Sequence, residues 1–239
     1  MSGDCRDRLP AMHMRVALPI LLIATLLWTD ALAAGWEVIK QEDGIVVSRK
    51  EVPGRDLPIF RGETEFDGSI YELLAILDDF GSHTQWMHSC EEAYAIKRYS
   101  AQRILSYYRT RAPWPVSSRD VVIENSIDLV TDSHAVIVTY KSVTSPLKPE
   151  VEDVVRMPRL RGYFHFRALS KTRTWLRYEV DADAGGSLPK WVAAMASEDI
   201  PYHTLINLRD RLPAARGKYE KFLDQWDPRR NPAAPNLFP

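Results

Sequence analysis

Apolar and polar residues alternate through most of the central part of the chain. This period of two is typical of β-strands that bury one face, and short polar or glycine-containing stretches interrupt it repeatedly. Between the first two apolar stretches stand Asp43 and Gly44, a residue pair that favours the tight turn of a hairpin. The pattern predicts strands over residues 36–41, 45–50, 59–66, 93–99, 103–112, 120–131, 135–143, 151–157, 163–169 and 174–181.

A helical period replaces the alternation at two points. Ser69 is placed to cap a helix over residues 70–79, where apolar residues recur on one face. Ser187 and Pro189 open a second helical pattern, with Ser187 as the cap and Pro189 in the first turn. The apolar positions of its first face are Leu188, Trp191, Val192 and Met195.

The second helical pattern is long. Pro201 lies inside it and lacks a backbone donor, so we expect a kink there or the end of the first segment. An apolar stripe continues at Leu205, Leu208 and Leu212, and a last helical segment ends near Trp226. The order is a hairpin, a helix, a run of antiparallel strands and a long helix. This order predicts an α+β fold with helices packed on one curved sheet.

The N-terminal region has the composition of a targeting segment. A basic residue precedes the uncharged, mostly apolar run 16–28, and Ala31 and Ala33 follow as the small residues of a cleavage site. We therefore expect a signal peptide over residues 1–33, cut near Ala33, and a periplasmic or secreted protein. Met14 is an alternative start. The apolar run is shorter than the ~20 residues that span a bilayer, and an uncleaved membrane anchor is the alternative interpretation.

Composition limits the function. The chain has 239 residues, of which 45% are hydrophobic and 26% are charged, and its formal net charge is −1. These values are ordinary for a globular protein and exclude a disordered chain, a collagen-like fibre and a polytopic membrane protein. No excess of positive charge indicates a nucleic-acid partner. We expect one domain over residues 34–226 and, because prolines are dense beyond it, a disordered tail over 227–239.

The sequence contains no nucleotide-binding, phosphate-binding, zinc-protease or serine-hydrolase motif. His83 and His88 lack carboxylates at a ligand spacing, so a polar loop is a better interpretation than a metal site. Cys90 stands near both histidines, but a lone cysteine is usually a small buried residue rather than a nucleophile. With Cys5 in the expected leader, no internal disulfide is available. We predict no catalytic residue, no metal and no cofactor.

The positive signal is a set of one-sided strands. Alternate positions are apolar, while the positions between them carry charged residues such as Arg161, Arg177 and Glu179. Such a sheet has to bury its apolar face against the helices. That face belongs either to a filled core or to the wall of a cavity, and periodicity alone leaves both open. Its apolar members include Val121, Ile123, Ile127, Leu129, Phe164, Phe166, Ala168, Leu176, Tyr178 and Val180.

Two stretches resemble the START domain, a lipid-transfer module related to steroidogenic acute regulatory protein. Residues 114–122, WPVSSRDVV, are similar to the family pattern W-P-x-S-x-R-D-F-V, with Val121 where the family usually has Phe. Residues 181–191, DADAGGSLPKW, are similar to the pattern D-x-x-G-x-x-P-x-W that leads into the family's last helix. Residues 207–209, NLR, also fit that helix. The similarity extends over nearly all of residues 35–226.

The resemblance implies a helix-grip fold, in which a curved antiparallel sheet wraps around a long C-terminal helix. An apolar tunnel between them would hold one lipid, with the last helix as a mobile lid. We also expect a monomer that contacts membranes transiently. A polyketide cyclase or aromatase on the same fold, and a structural domain with a filled core, are the alternatives. The expected lipid-binding residues are Ser106, Tyr108, Ile123, Asn125, Phe164, Tyr178, Leu188, Trp191 and Met195.

Asn125 and Ser106 place polar groups on otherwise apolar inward faces. These positions look like those at which some START domains carry a buried acid–arginine pair, whereas both residues are neutral here. A buried amide without a partner costs roughly 1–3 kcal/mol. The two residues therefore either bind a hydroxyl or ester group of the ligand, together with Tyr108, or satisfy each other inside a core.

Overall fold

The computed structural model describes most of the chain. The leader expected over residues 1–33 lies outside the described part, and so does Leu188. For 190–198, 214 and 215 the backbone alone is described. Within the described part, no helix combines the length and the apolar content needed to cross a bilayer. The described residues are 35–55, 57–187, 189–215 and 217–239.

A curved sheet forms the body of the domain. In the described part of the chain its strands are β1 (Glu37–Glu42), β2 (Ile45–Lys50), β3 (Ile59–Phe66), β4 (Cys90–Ser100), β5 (Arg103–Thr110), β6 (Arg119–Val130), β7 (Ala135–Ser142), β8 (Val155–Arg156), β9 (Arg159–Ala168) and β10 (Thr174–Asp183). Their order is β1-β2-β3-β10-β9-β7-β6-β5-β4, with antiparallel neighbours throughout. β8 lies off this path and pairs in parallel with the start of β6. The predicted α+β class, with one curved antiparallel sheet, is confirmed.

The first hairpin forms as its sequence indicates. Asp43 and Gly44 join β1 to β2, and their φ angles of 51° and 71° are both left-handed. A two-residue turn that follows the twist of the strands requires such angles, which Asp-Gly adopts at low cost. β3 has the bounds that the alternation predicts.

The predicted capped helix is α1 (Ile70–Asp78). The Ser69 hydroxyl accepts a hydrogen bond from the Glu72 amide at 3.2 Å, and the Glu72 carboxylate accepts one from the Ser69 amide at 2.7 Å. This reciprocal capping box satisfies two amides that a helix start leaves free. The chain then turns through a 3-10 helix, Phe80–Gln85, before entering β4.

The C-terminal helices are α2 (Lys190–Ala215) and α3 (Glu220–Trp226). α2 packs on β2, β3 and α1. It continues through Pro201, so the expected end of its first segment does not occur. Tertiary packing accounts for this, because Pro201 and Leu205 press against Gly62 of β3. A Cβ at Gly62 would lie 2.7 Å from a Leu205 methyl carbon, so a larger residue there would require the Leu205 side chain to shift.

β8 is much shorter than the predicted strand over 151–157. Turns occupy the residues before it, where the Val154 amide bonds to the Val151 carbonyl at 3.2 Å. β8 consists of the two residues that pair with Arg119 and Asp120 of β6. The alternating pattern predicts too long a strand because it does not reveal these turns.

The C-terminal tail is folded onto α1, which differs from the disorder that its prolines indicate. Leu237 and Phe238 are buried, and the Phe238 ring meets the Tyr71 ring edge-on at 5.1 Å between centroids. The Tyr71 hydroxyl donates to the Pro235 carbonyl at 2.5 Å and accepts from the Leu237 amide at 2.8 Å. Two buried apolar side chains and two hydrogen bonds offset the cost of ordering the segment.

Candidate functional site

A cavity of about 490 Å³ lies between the sheet and the helices. Its volume is within the range of about 300–1,000 Å³ that is usual for small-molecule sites. The walls come from the inward faces of β5, β6, β7, β9 and β10, from α1 and α3, and from the tail. Of α2, the described side chains that reach it are Asp199 and Ile200. The apolar faces of these strands therefore form the wall of a cavity as well as part of the packed core.

Strand β6 supplies the longest wall of the cavity. Every second residue faces inward, which follows from the pleat of a β-strand. At 3.3 Å per residue, this wall is about 30 Å long. Its inward residues are Arg119, Val121, Ile123, Asn125, Ile127 and Leu129.

Aromatic rings form the part of the cavity wall that continues from β6 across β7, β9 and β10. Phe164 of β9 stacks on Tyr178 of β10 with 4.3 Å between centroids, and Tyr140 of β7 lies 6.0 Å from Phe164. The Tyr140 hydroxyl donates to the Glu179 carbonyl at 2.7 Å. Tyr140 is a further wall residue beyond those predicted to bind lipid, and the alternation of β7, which places it on the same face as Val138, is the signal that could have found it.

Asn125 and Ser106 are hydrogen-bonded to each other. Asn125 Nδ2 donates to Ser106 Oγ at 2.7 Å and to the Ile104 carbonyl at 3.1 Å. Asn125 lines the cavity, whereas Ser106 is fully buried and is not among the lining residues. Ser106 therefore holds the Asn125 amide in place and is not among the lining residues, and its expected role in binding lipid stays a prediction. Asn125 Oδ1 has no partner among the described residues and is available to a ligand donor.

His83 is a buried member of the cavity wall and not part of a polar loop. Its Nε2 lies 3.0 Å from the Leu77 carbonyl, which only accepts, so Nε2 carries the proton. Nδ1, 2.9 Å from the Tyr108 hydroxyl, then accepts from Tyr108. Burial lowers the pKa of His83 to about 4, so the ring is neutral at pH 7. The sequence gives no signal for this role, because His83 and Tyr108 are 25 positions apart.

Arg119 and Asp120 face opposite sides of β6. Asp120 is fully buried on the outer side, where Arg156 Nε donates to it at 2.6 Å and the Tyr107 hydroxyl at 3.1 Å. Asp120 thus fastens β8 and the segment before it to the sheet. Arg119 lines the cavity. One residue of the motif is structural and the other faces the candidate site.

Cys90 and the histidines near it are the groups that the sequence offers for catalysis or metal binding. Burial raises the pKa of the Cys90 thiol to about 11, so the nucleophilic thiolate is scarce at neutral pH. No cluster of metal-ligating side chains occurs in the part of the chain that the structure describes.

The cavity and the curved sheet agree with a match to a known family. A family model described as the START domain matches residues 27–200. The chain belongs to the START domain family.

The chain is similar to proteins of known sequence and to solved structures. An uncharacterised protein of Pseudomonas aeruginosa is 30% identical over 180 residues, covering 75% of this chain and 88% of that protein. Mouse phosphatidylcholine transfer protein is 22% identical over 192 residues, covering 79% and 87%. The structure of a STAR-related lipid transfer protein from Xanthomonas axonopodis is 29% identical with a TM-score of 0.68, covering 75% of this chain and 99% of that one. Human STARD10, 22% identical, has a TM-score of 0.70 over 84% of each chain. The helix-grip fold is therefore confirmed.

The START cavity brings together several of the residues predicted to bind lipid. Tyr108, Ile123, Asn125, Phe164 and Tyr178 line it. Their role in binding a lipid stays a prediction, as does that of the helix residues. Leu188 lies outside the described residues, as do the side chains of Trp191 and Met195.

Proposed function

We propose that this START domain binds one hydrophobic lipid in its cavity and carries or presents it between membranes or partners. The observation that carries the proposal is the mostly apolar cavity between the sheet and the helices, lined along the length of β6. Removing apolar surface from water is favourable by roughly 25 cal/mol per Å². A cavity that replaces the water around a lipid needs no other chemistry to hold it.

The names of two relatives support this proposal. One is a phosphatidylcholine transfer protein and the other a STAR-related lipid transfer protein. The ligand proposed for this chain is a sterol, a phospholipid or a similar lipid.

Two titratable groups of the wall, His83 and Tyr108, are poorly suited to the proton transfers of a cyclase or aromatase. An acid–base enzyme needs a group whose pKa lies near the operating pH. Burial lowers the pKa of His83 to about 4 and raises the pKa of Tyr108 well above 10.0. Each is also engaged by the other in a hydrogen bond. Neither is prepared to move a proton at neutral pH.

Lipid exchange requires contact with a membrane, and the loop before β6 is suited to it. Trp114 is 90% exposed in this loop, and its neighbours Arg111, Ala112 and Pro113 line the cavity. Tryptophan favours the interface between water and lipid. We place membrane docking at this loop.

The start of α2 is the proposed lid. Trp191 and Met195 lie in its first half, and Pro201, which lacks a donor, supplies the hinge. A lid that opens has to come from the less stable end of the structure. Trp191→Ala should slow lipid transfer and leave the fold intact. Hydrogen exchange slower in 188–200 than in the central strands, with and without membranes, would contradict the lid.

The proposed setting is a periplasm or another secretory destination, with a monomeric protein released by cleavage near Ala33. N-terminal sequencing of the exported protein should begin at or near Ala34. An intact segment 16–28 in a carbonate-resistant membrane fraction would contradict the release.

A transfer assay tests the function. Purified protein should accelerate the movement of a fluorescent phospholipid or sterol between donor and acceptor vesicles. Ala182 lines the cavity and is half-buried, so Ala182→Phe should fill space and abolish the acceleration while the protein stays folded. Equal transfer by the two proteins, or none by the wild type, would contradict the proposal.

A further inference from the structure

Arg119 is a cavity residue with a charged guanidinium, and a purely apolar ligand would offer this group no hydrogen-bond acceptor. It begins β6 and lines the cavity on the same face as Val121 and Ile123. Only 6% of Arg119 is exposed. A permanent positive charge therefore lies at one end of an otherwise mostly apolar wall.

The guanidinium of Arg119 has few partners within the protein. Nη1 donates to the Ser117 carbonyl at 2.5 Å, and Nε is buried without an acceptor. Among the described residues no carboxylate forms an ion pair with it, and burial lowers its pKa with no opposing charge. A buried charge is costly unless a counter-charge and hydrogen bonds accompany it.

The other arginines of the described wall are neutralised. Arg98 pairs with Asp78 at 2.7 Å, and Arg111 pairs with Glu91 at 2.9 Å. Arg119 alone among them lacks a carboxylate, so it is the one that a ligand anion would satisfy. The strand register sets Thr110, another lining residue, directly opposite Arg119. The side chains of directly opposite residues share a face of the sheet, so Thr110 adds a hydroxyl group to this end of the wall.

We propose that Arg119 binds the phosphate or carboxylate group of an anionic lipid, whose chain then extends along β6 towards Leu129. A guanidinium suits either anion because its planar fork can donate two parallel hydrogen bonds. The inward positions between Arg119 and Leu129 span about 30 Å, which is enough for a long acyl chain. This inference rests on the proposed lipid-binding function and names the class of lipid.

Competition among three lipids with the same chain tests it. Delipidated protein is equilibrated with equal amounts of oleic acid, oleoyl lysophosphatidic acid and mono-olein, supplied from cyclodextrin, and the complexes are counted by native mass spectrometry. The wild type should take up at least one acidic lipid at least tenfold over mono-olein, and the preferred acid distinguishes carboxylate from phosphate. Arg119→Met should remove this preference and still bind mono-olein.

Arg103→Met is the matched control. Arg103 lies on β5, outside the cavity lining, and pairs with Glu124 on the surface, so its loss removes the same charge but should keep the preference. Equal uptake of all three lipids by the wild type, or an unchanged preference in Arg119→Met, would overturn the role of Arg119 and leave the proposed function standing. Uptake of no lipid would overturn both.

If Arg119→Met does not fold, a titration of the lipid bound to the wild type tests the inference instead. An ion pair with a guanidinium keeps a bound carboxylate or phosphate in its more ionised form. The carbon-13 carboxyl signal of labelled oleate, or the phosphorus-31 signal of the phosphate lipid, should then titrate at a lower pH in the complex than in free solution. Titration at or above the free value would overturn the inference.

Discussion

Asn125 donates to Ser106 from the cavity wall, with Nδ2 and Oγ 2.7 Å apart. The amide nitrogen is therefore used within the protein, since it also reaches the Ile104 carbonyl at 3.1 Å. The amide oxygen, which has no partner among the described residues, faces the ligand space. The Asn125 side chain therefore has both roles that the sequence leaves open. Its nitrogen bonds within the protein, and its oxygen is available to a ligand.

This division predicts different results for the two partners. Ser106→Ala removes the hydrogen bond from Asn125 and the one to the Tyr108 hydroxyl, so the free energy of unfolding should fall by about 1–2 kcal/mol while lipid binding stays the same. Asn125→Leu also removes the oxygen at the cavity, so the affinity for a lipid with a hydroxyl group should fall several-fold. Chemical denaturation and lipid titration measure the two effects. An unchanged affinity in Asn125→Leu would show that the whole amide is structural.

Burial of His83 predicts a loss of stability in mild acid. Its pKa is lowered to about 4 in the folded protein from an ordinary value of 6.5. Below pH 6.5 the unfolded chain binds a proton that folded His83 does not, so stability is full above pH 6.5 and declines as the pH falls towards 4. The contribution lost between pH 7 and pH 5 is about 2 kcal/mol.

His83→Gln isolates this contribution, because glutamine can hydrogen-bond at the site without titrating. Denaturant unfolding at pH 7 and pH 5 should show a smaller decline in the variant than in the wild type, by about 2 kcal/mol. Parallel declines in the two proteins would mean that His83 is not held neutral by burial.

The sequence predicts the fold better than it predicts the candidate site. Alternation predicts β3 at its observed bounds, because its residues alternate between buried and less buried positions and no turn interrupts them. The bond between His83 and Tyr108 joins a 3-10 helix to a strand, and no local period records such a contact. The predicted disorder of the tail is wrong for the same reason, since proline content disfavours regular structure but does not reveal that Leu237 and Phe238 pack on α1.

The tail should depend on the hydroxyl of Tyr71. Tyr71→Phe leaves the buried Leu237 amide without its acceptor at 2.8 Å, which costs about 1–3 kcal/mol. A carboxypeptidase that accepts C-terminal proline should then release Pro239, Phe238 and Leu237 faster, and the unfolding midpoint should fall. Tyr99→Phe, at a residue that is 47% exposed, is the control and should change neither. Unchanged resistance in Tyr71→Phe would show that these bonds do not hold the tail.

Membrane docking should depend on Trp114. Because Trp114 is 90% exposed, Trp114→Ala should leave the unfolding midpoint unchanged and weaken binding to phospholipid vesicles several-fold. Val38→Ala is the control, since Val38 is also exposed but lies on β1, at the opposite edge of the sheet from β4. Vesicle sedimentation compares the three proteins. Equal weakening by both substitutions, or none by Trp114→Ala, would place the contact elsewhere.

Native mass spectrometry of the protein as purified from its own cells tests whether the cavity holds a lipid. The wild type should carry a mass excess equal to one lipid molecule per chain, identified after extraction. Ala182→Phe, purified alongside, should carry little or none, because the added ring occupies the space between the sheet and the helices. A lipid-free wild type that also takes up none of the lipids offered, or equal loading of the two proteins, would contradict lipid binding in this cavity.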